Sequence, residues 1–173
     1  MPRLDFSWTV TINAPVEQVF SYLRDPNNLL HALGGGNADF EFSDVKVTPE
    51  GVGTTGRVEV HLPGLKHLGP TGKVSIEITE VVPNRRIVVK SSMSKGRMFK
   101  FDGTWTWTFE PGNGGTKLIV AYTEWANRIV YAFDRLAEKL QNRQMNAYFA
   151  DLKTTLESPS RLSGSGASHR SQD

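Results

Sequence analysis

A tyrosine, a glutamate and an asparagine stand together where the last predicted strand meets a long predicted helix. Tyr122 and Glu124 are two residues apart, so their side chains point to the same face of a strand. A carboxyl group that faces an apolar pocket has a raised pKa and can act as an acid or anchor a ligand. The alternative is that Glu124 lies solvated at the pocket mouth, as most glutamates do. Glu124 and Asn127 are therefore candidate polar anchors.

Aromatic residues recur at every second position from Phe99 to Phe109, with Gly103 within the stripe. Spacing alone favours an ordinary core face, because aromatics at strand period usually pack in the core. The alternative is the wall of a pocket for a flat apolar ligand, where Gly103 would let ligand and backbone approach closely. On that second interpretation the cavity is lined by Trp8, Val60, Ile76, Phe99, Phe101, Gly103, Trp105, Tyr122, Phe133 and Leu136.

Composition and spacing argue against several other kinds of chemistry. The chain has no cysteine, which excludes disulfides, thiolate catalysis and cysteine-bound metals. Its four histidines show no metal-ligand spacing, so we expect no metal and no cofactor. No Ser-His-Asp arrangement is legible, and no catalytic residue is assigned.

The charge and hydropathy of the chain limit the classes of partner that we expect. The net charge is only +2, so nucleic acid is not an expected partner. No run of about 18 apolar residues occurs, so no integral membrane segment is expected. The N-terminus has no apolar signal region, and a cytoplasmic protein is the default expectation. The sequence does not indicate an oligomeric state.

The elements that must position these residues follow in a β-α-α-β6-α order. Period-two alternation predicts seven strands, and the segment 127–157 contains neither proline nor glycine and predicts a helix of about 30 residues. We expect one domain over residues 1–157 and a disordered Ser/Gly-rich tail over 158–173. The long helix is the only element that can cover the aromatic face, and a curved sheet around one helix leaves a gap for a small molecule.

Three segments of the chain carry recognisable motifs. The opening strand ends in Ile12-Asn13-Ala14-Pro15 and runs into a helix and then Asp25-Pro26, a hairpin spans residues 78–87, and the closing helix includes residues 133–153. These segments resemble their equivalents in the START-like, or SRPBCC, superfamily, in its polyketide cyclase/dehydrase and lipid-transport branch. The resemblance implies an α+β helix-grip (START/Bet v 1-like) fold with a ligand pocket. It also implies that the loops at the pocket entrance form a lid, with Gly35, Leu65 and Leu68 as candidates.

Three functions remain open on these observations. The first is binding or carrying an apolar small molecule, such as a lipid or a polyketide, in an internal cavity. The second is a polyketide aromatase/cyclase-type enzyme, in which Tyr122 and Glu124 assist enolisation and loss of water. The third is a protein–protein adaptor that has no ligand. An enzyme needs acid and base groups converging inside the pocket, whereas a carrier needs only an apolar wall.

Overall fold

The computed structural model describes residues 1–33, 41–60, 72–95, 99–112 and 114–158. Its three helices and seven strands follow the predicted order. In chain order the elements are β1 Arg3–Ile12, α1 Val16–Arg24, α2 Pro26–Leu33, β2 Glu41–Lys46, β3 Thr55–Val60, β4 Gly72–Val82, β5 Arg86–Lys95, β6 Phe99–Gly112, β7 Gly115–Ala126 and α3 Arg128–Glu157. The candidate lid residues Gly35, Leu65 and Leu68, and the predicted tail beyond residue 158, lie outside the described residues.

The strands form one antiparallel sheet in the order β1-β7-β6-β5-β4-β3-β2. Side chains alternate between a buried concave face and an exposed outer face along most strands, as the period-two pattern predicts. In the sequence, the apolar residues Phe42 and Val45 of β2 have opposite parity, which predicts a bulge across Ser43 and Asp44. A register shift between Ser43 and Lys46, with Asp44 at φ 52°, confirms this bulge. The sheet therefore curves with one apolar face turned inward.

Helix α3 closes the concave face, and its principal sheet contacts are with β1, β6 and β7. Its C-terminal half buries Met145, Tyr148, Phe149, Leu152 and Leu156. The C-terminal end of α3 is bound to α1, because the Gln18 side chain donates a hydrogen bond to the Leu156 carbonyl oxygen at 3.1 Å. The C-terminal half of α3 is thus the half that packs most closely against the rest of the domain.

The N-terminal half of α3 does not place its apolar stripe against the sheet. Ile129 and Leu140 are more than 40% exposed, and Leu136 is 84% exposed. Leu136 and Met145 are nine residues apart, which at about 100° per residue puts them on opposite sides of a straight helix. The expectation that Leu136 lines the pocket was therefore wrong. The sheet-facing side of this half carries Val130 and Asp134.

Candidate functional site

Four aromatic rings stack on the concave face beneath α3. The Phe6 and Trp8 ring centroids are 5.9 Å apart, and those of Trp8 and Trp105 are 6.2 Å apart. Tyr122 lies 4.2 Å from Trp105 with the two rings 21° from parallel. We call these four rings the aromatic floor. Helix α3 contacts it through a hydrogen bond from the Trp8 indole N–H to Asn142 Oδ1 at 2.8 Å.

A row of small and polar residues crosses the sheet beside the aromatic floor. Gly103 on β6 pairs with Ser91 on β5 and with Glu124 on β7, so the three share the concave face. Ser91 is 8% exposed and Glu124 is 4% exposed. The antiparallel register thus brings to one place three residues that are far apart in sequence.

Tyr122 connects the members of this row. Its hydroxyl donates to Glu124 Oε2 at 2.5 Å. A Cβ added to Gly103 would lie 2.6 Å from the Tyr122 hydroxyl and 2.7 Å from Ser91 Oγ. Gly103 is therefore required because the Tyr122 ring lies across its backbone. The expectation that ligand would approach the backbone at Gly103 does not agree with this packing, because the Tyr122 ring covers that backbone.

Asp134 reaches the same cluster from α3. Burial first, and then the Asp134 charge, raise the pKa of Glu124 to about 8. Burial likewise raises the pKa of Asp134. Asp134 lies near enough to Glu124 for each carboxyl group to affect the pKa of the other. Glu124, which is buried, and Asp134, which is half-buried, therefore form an acid pair between sheet and helix.

The other predicted site residues fall into two groups. Trp8 and Ile76 are buried on the concave face, and Phe101 and Trp105 are half-buried there. The side chains of Val60, Phe99 and Phe133 lie outside the described part of the structure. Asn127 caps the first turn of α3, because its Oδ1 accepts from the Val130 N–H at 3.0 Å.

Three residues of the site, Ser91, Asn142 and Asp134, were not predicted from the sequence. Ser91 and Asn142 carried no distinguishing pattern. Asp134 lies between the apolar residues of the exposed stripe, so the apolar pattern gave no reason to expect it in the site. Its spacing of four from Val130 was the available signal, since residues four apart share a helix face.

The concave face is distinct from an open groove of about 930 Å³ on the outer face of the sheet. Outward side chains of β3–β7 contribute to its lining, including Arg57, Glu77, Lys90, Asp102 and Trp125. Among the described residues, no group of three histidine, aspartate or glutamate side chains is placed to hold a metal ion. No described helix is long and apolar enough to cross a membrane.

A family model described as polyketide cyclase/dehydrase and lipid transport matches residues 3–157. The chain belongs to this family. The match includes all the residues of the cluster and both elements that carry the acid pair. No match was found among the curated proteins. The polyketide cyclase/dehydrase and lipid-transport family is thus established by sequence, and the earlier resemblance is confirmed.

Solved structures that resemble the chain show the same fold. An uncharacterized protein from Rhizobium leguminosarum is 19% identical, with a TM-score of 0.62 over 89% of this chain and 96% of its own. The Aha1 dimer from Colwellia psychrerythraea is 17% identical, with a TM-score of 0.57 over 89% and 96%. Ara h 8.0201 is 14% identical, with a TM-score of 0.53 over 86% and 99%. These likenesses confirm the helix-grip fold of this family member.

Proposed function

We propose that the protein binds an apolar small molecule, of lipid or polyketide type, in the trough between α3 and the concave face. The observation that carries the proposal is that the apolar face is wider than the helix. Helix α3 lies mainly over β1, β6 and β7. The apolar concave side chains continue onto β3, β4 and β5, where Val58, Ile76 and Met93 are themselves buried. A concave apolar surface with few polar groups is the usual form of a small-molecule site.

Trp105 is the ring through which the proposal can be tested, because it is half-buried and stacks on both Trp8 and Tyr122. Replacement by alanine would remove about 50 Å² of ligand contact, or about 1.3 kcal/mol at ~25 cal/mol per Å². We expect the Trp105→Ala variant to bind Nile red, a neutral apolar probe, about tenfold more weakly than the wild type. Titration of delipidated protein, followed by probe fluorescence, measures this change.

Trp125→Ala is the matched control, because Trp125 is 41% exposed on the outer face. It should bind Nile red as the wild type does. Absence of saturable binding to the wild type would refute the proposal, and so would equal affinity of the Trp105→Ala and wild-type proteins. Native mass spectrometry of the purified protein, followed by lipid extraction, would give the mass of any molecule that it carries.

A second candidate is a cyclase or dehydratase enzyme, which the buried Tyr122–Glu124–Asp134 cluster favours. A poly-β-keto chain needs a proton donor near its carbonyl oxygens and a base for its acidic methylene protons, and a carboxyl pair with one group protonated and the other ionised can supply both. Conversion of a poly-β-keto thioester by the wild-type protein would distinguish the enzyme from a carrier. A protein that binds such a compound and returns it unchanged is a carrier.

A further inference from the structure

The cluster around Glu124 has more hydrogen-bond acceptors than donors. Glu124 Oε1 and Ser91 Oγ are both buried, and neither has a conventional hydrogen-bond partner among the described residues. The hydroxyl groups of Tyr122 and Ser91 are the cluster's neutral donors, whereas two carboxyl groups accept. A buried polar atom without a partner is costly, so the free positions indicate that a donor is missing.

No cation compensates the two acids within the described residues. The described salt bridges of lysine and arginine all involve other carboxylates, on exposed or half-buried surfaces. The buried polar side chains of the described part are Thr54, Ser91, Thr116 and Glu124, none of them basic. Buried acids in proteins are normally paired with a positive charge. In this cluster burial instead raises the pKa of both acids, which favours their neutral forms.

The surroundings of the acid pair also suit a positive charge. An anionic ligand group would face the acid pair without a compensating charge. Ser91 provides a second, independent indication of a ligand atom, because its hydroxyl is more than nine-tenths buried, lacks a partner and adjoins the Tyr122 hydroxyl above Gly103.

We propose that the ligand of the trough is an apolar amine, whose ammonium group binds between Glu124, Asp134 and Ser91. This inference rests on the proposed function, since it assigns the headgroup of a ligand that lies in the same trough. The ammonium group donates to Glu124 Oε1 and Ser91 Oγ, and Glu124 releases its carboxyl proton to solvent. No covalent bond forms or breaks other than this O–H bond. An ammonium group thus supplies both the missing donors and the missing charge.

The test compares three probes that share one apolar chain: n-octylamine, 1-octanol and octanoate. Each is titrated into delipidated wild-type protein at pH 7 by isothermal calorimetry. We expect octylamine to bind at least about tenfold more tightly than octanol, because hydrogen bonds to charged groups are the stronger ones, and octanoate to bind most weakly. Titration in two buffers of different ionisation enthalpy should show release of a proton when octylamine binds.

Two variants locate the effect. Glu124→Gln keeps the size of the side chain and should abolish both the preference for octylamine over octanol and the proton release. Asp134→Asn should reduce the same preference. Asp102→Asn is the matched control, because it likewise replaces a carboxyl group by its amide, here on the exposed face of β6, the strand that pairs with β7, and it should behave as the wild type.

The outcomes separate the inference from the proposed function. Equal affinity for octylamine and octanol, or tightest binding of octanoate, would overturn the amine assignment and leave apolar binding intact. Binding of none of the three probes would overturn both. The order of the probes on the wild-type protein decides the matter even if a variant does not fold.

Discussion

Replacing Glu124 by glutamine should remove a pH dependence of stability that the wild-type protein carries. In the folded protein, burial and the neighbouring Asp134 raise the pKa of Glu124 from 4.5 to about 8. The folded state therefore holds a proton that the unfolded chain loses above pH ~4.5. Glutamine is nearly isosteric and can still accept from the Tyr122 hydroxyl, but it does not titrate.

The sign and size follow from proton linkage. Between the two pKa values the folded state binds about one proton more than the unfolded state, so the free energy of unfolding falls as the pH rises. One proton corresponds to about 1.4 kcal/mol per pH unit. Between pH 5.5 and pH 7.5 the Glu124 proton thus accounts for a loss of about 2–3 kcal/mol, which is large beside the ~5–15 kcal/mol of a typical domain. The stabilisation is complete below pH ~4.5 and is lost as the pH passes about 8.

Urea denaturation followed by far-ultraviolet circular dichroism, at pH 5.5, 6.5 and 7.5, measures the effect. We expect the difference in unfolding free energy between Glu124→Gln and the wild type to move by about 2–3 kcal/mol in favour of the variant across this range. Taking the difference removes the contributions of all groups that the two proteins share. Asp102→Asn, on the exposed face, should keep the wild-type slope. Parallel pH profiles of Glu124→Gln and the wild type would refute the buried acid pair.

Two further substitutions test the packing around the site. Gly103→Ala should cost about 1–3 kcal/mol in the free energy of unfolding, because its Cβ would lie 2.6 Å from the Tyr122 hydroxyl, whereas Gly112→Ala has no neighbour closer than 3.7 Å and should cost less than about 1 kcal/mol. Equal melting temperatures of these two variants would contradict the tight packing at Gly103. Leu152→Ala should cost about 2–5 kcal/mol, because Leu152 is 2% exposed, whereas Leu136→Ala on the exposed side of α3 should cost less than about 0.5 kcal/mol. Similar losses in urea denaturation would contradict the orientation of α3.

Local periodicity was enough to predict the strands and the shared face of Tyr122 and Glu124. Successive side chains of a strand alternate between faces, so residues two apart must lie together wherever the strand is regular. The change of parity near Ser43 indicated the bulge for the same reason. The length of α3 was equally legible, because neither proline nor glycine interrupts it.

The cluster itself required information that a single sequence does not carry. Ser91 meets Gly103 and Glu124 through the pairing register of three strands, which depends on how distant segments align. The position of Asp134 depends on the rotation of α3 about its own axis. An apolar stripe normally gives that rotation, but the two halves of α3 carry stripes on different sides, and the buried half decides which side faces the sheet.

Asn127 takes part both in the local structure of α3 and in the packing of α3 on the sheet. The sequence suggested that it anchors a ligand, and the structure gives it a different role. Its side chain caps the first turn of α3, while its backbone N–H donates to the Lys100 carbonyl on β6 at 2.9 Å. The cap therefore fixes where the helix begins relative to the sheet. Asp134 follows seven residues later, about two helical turns, and so returns to nearly the same side of the helix. We infer that Asn127 sets the place of the acid that faces Glu124, and that its contribution to ligand binding is made through Asp134.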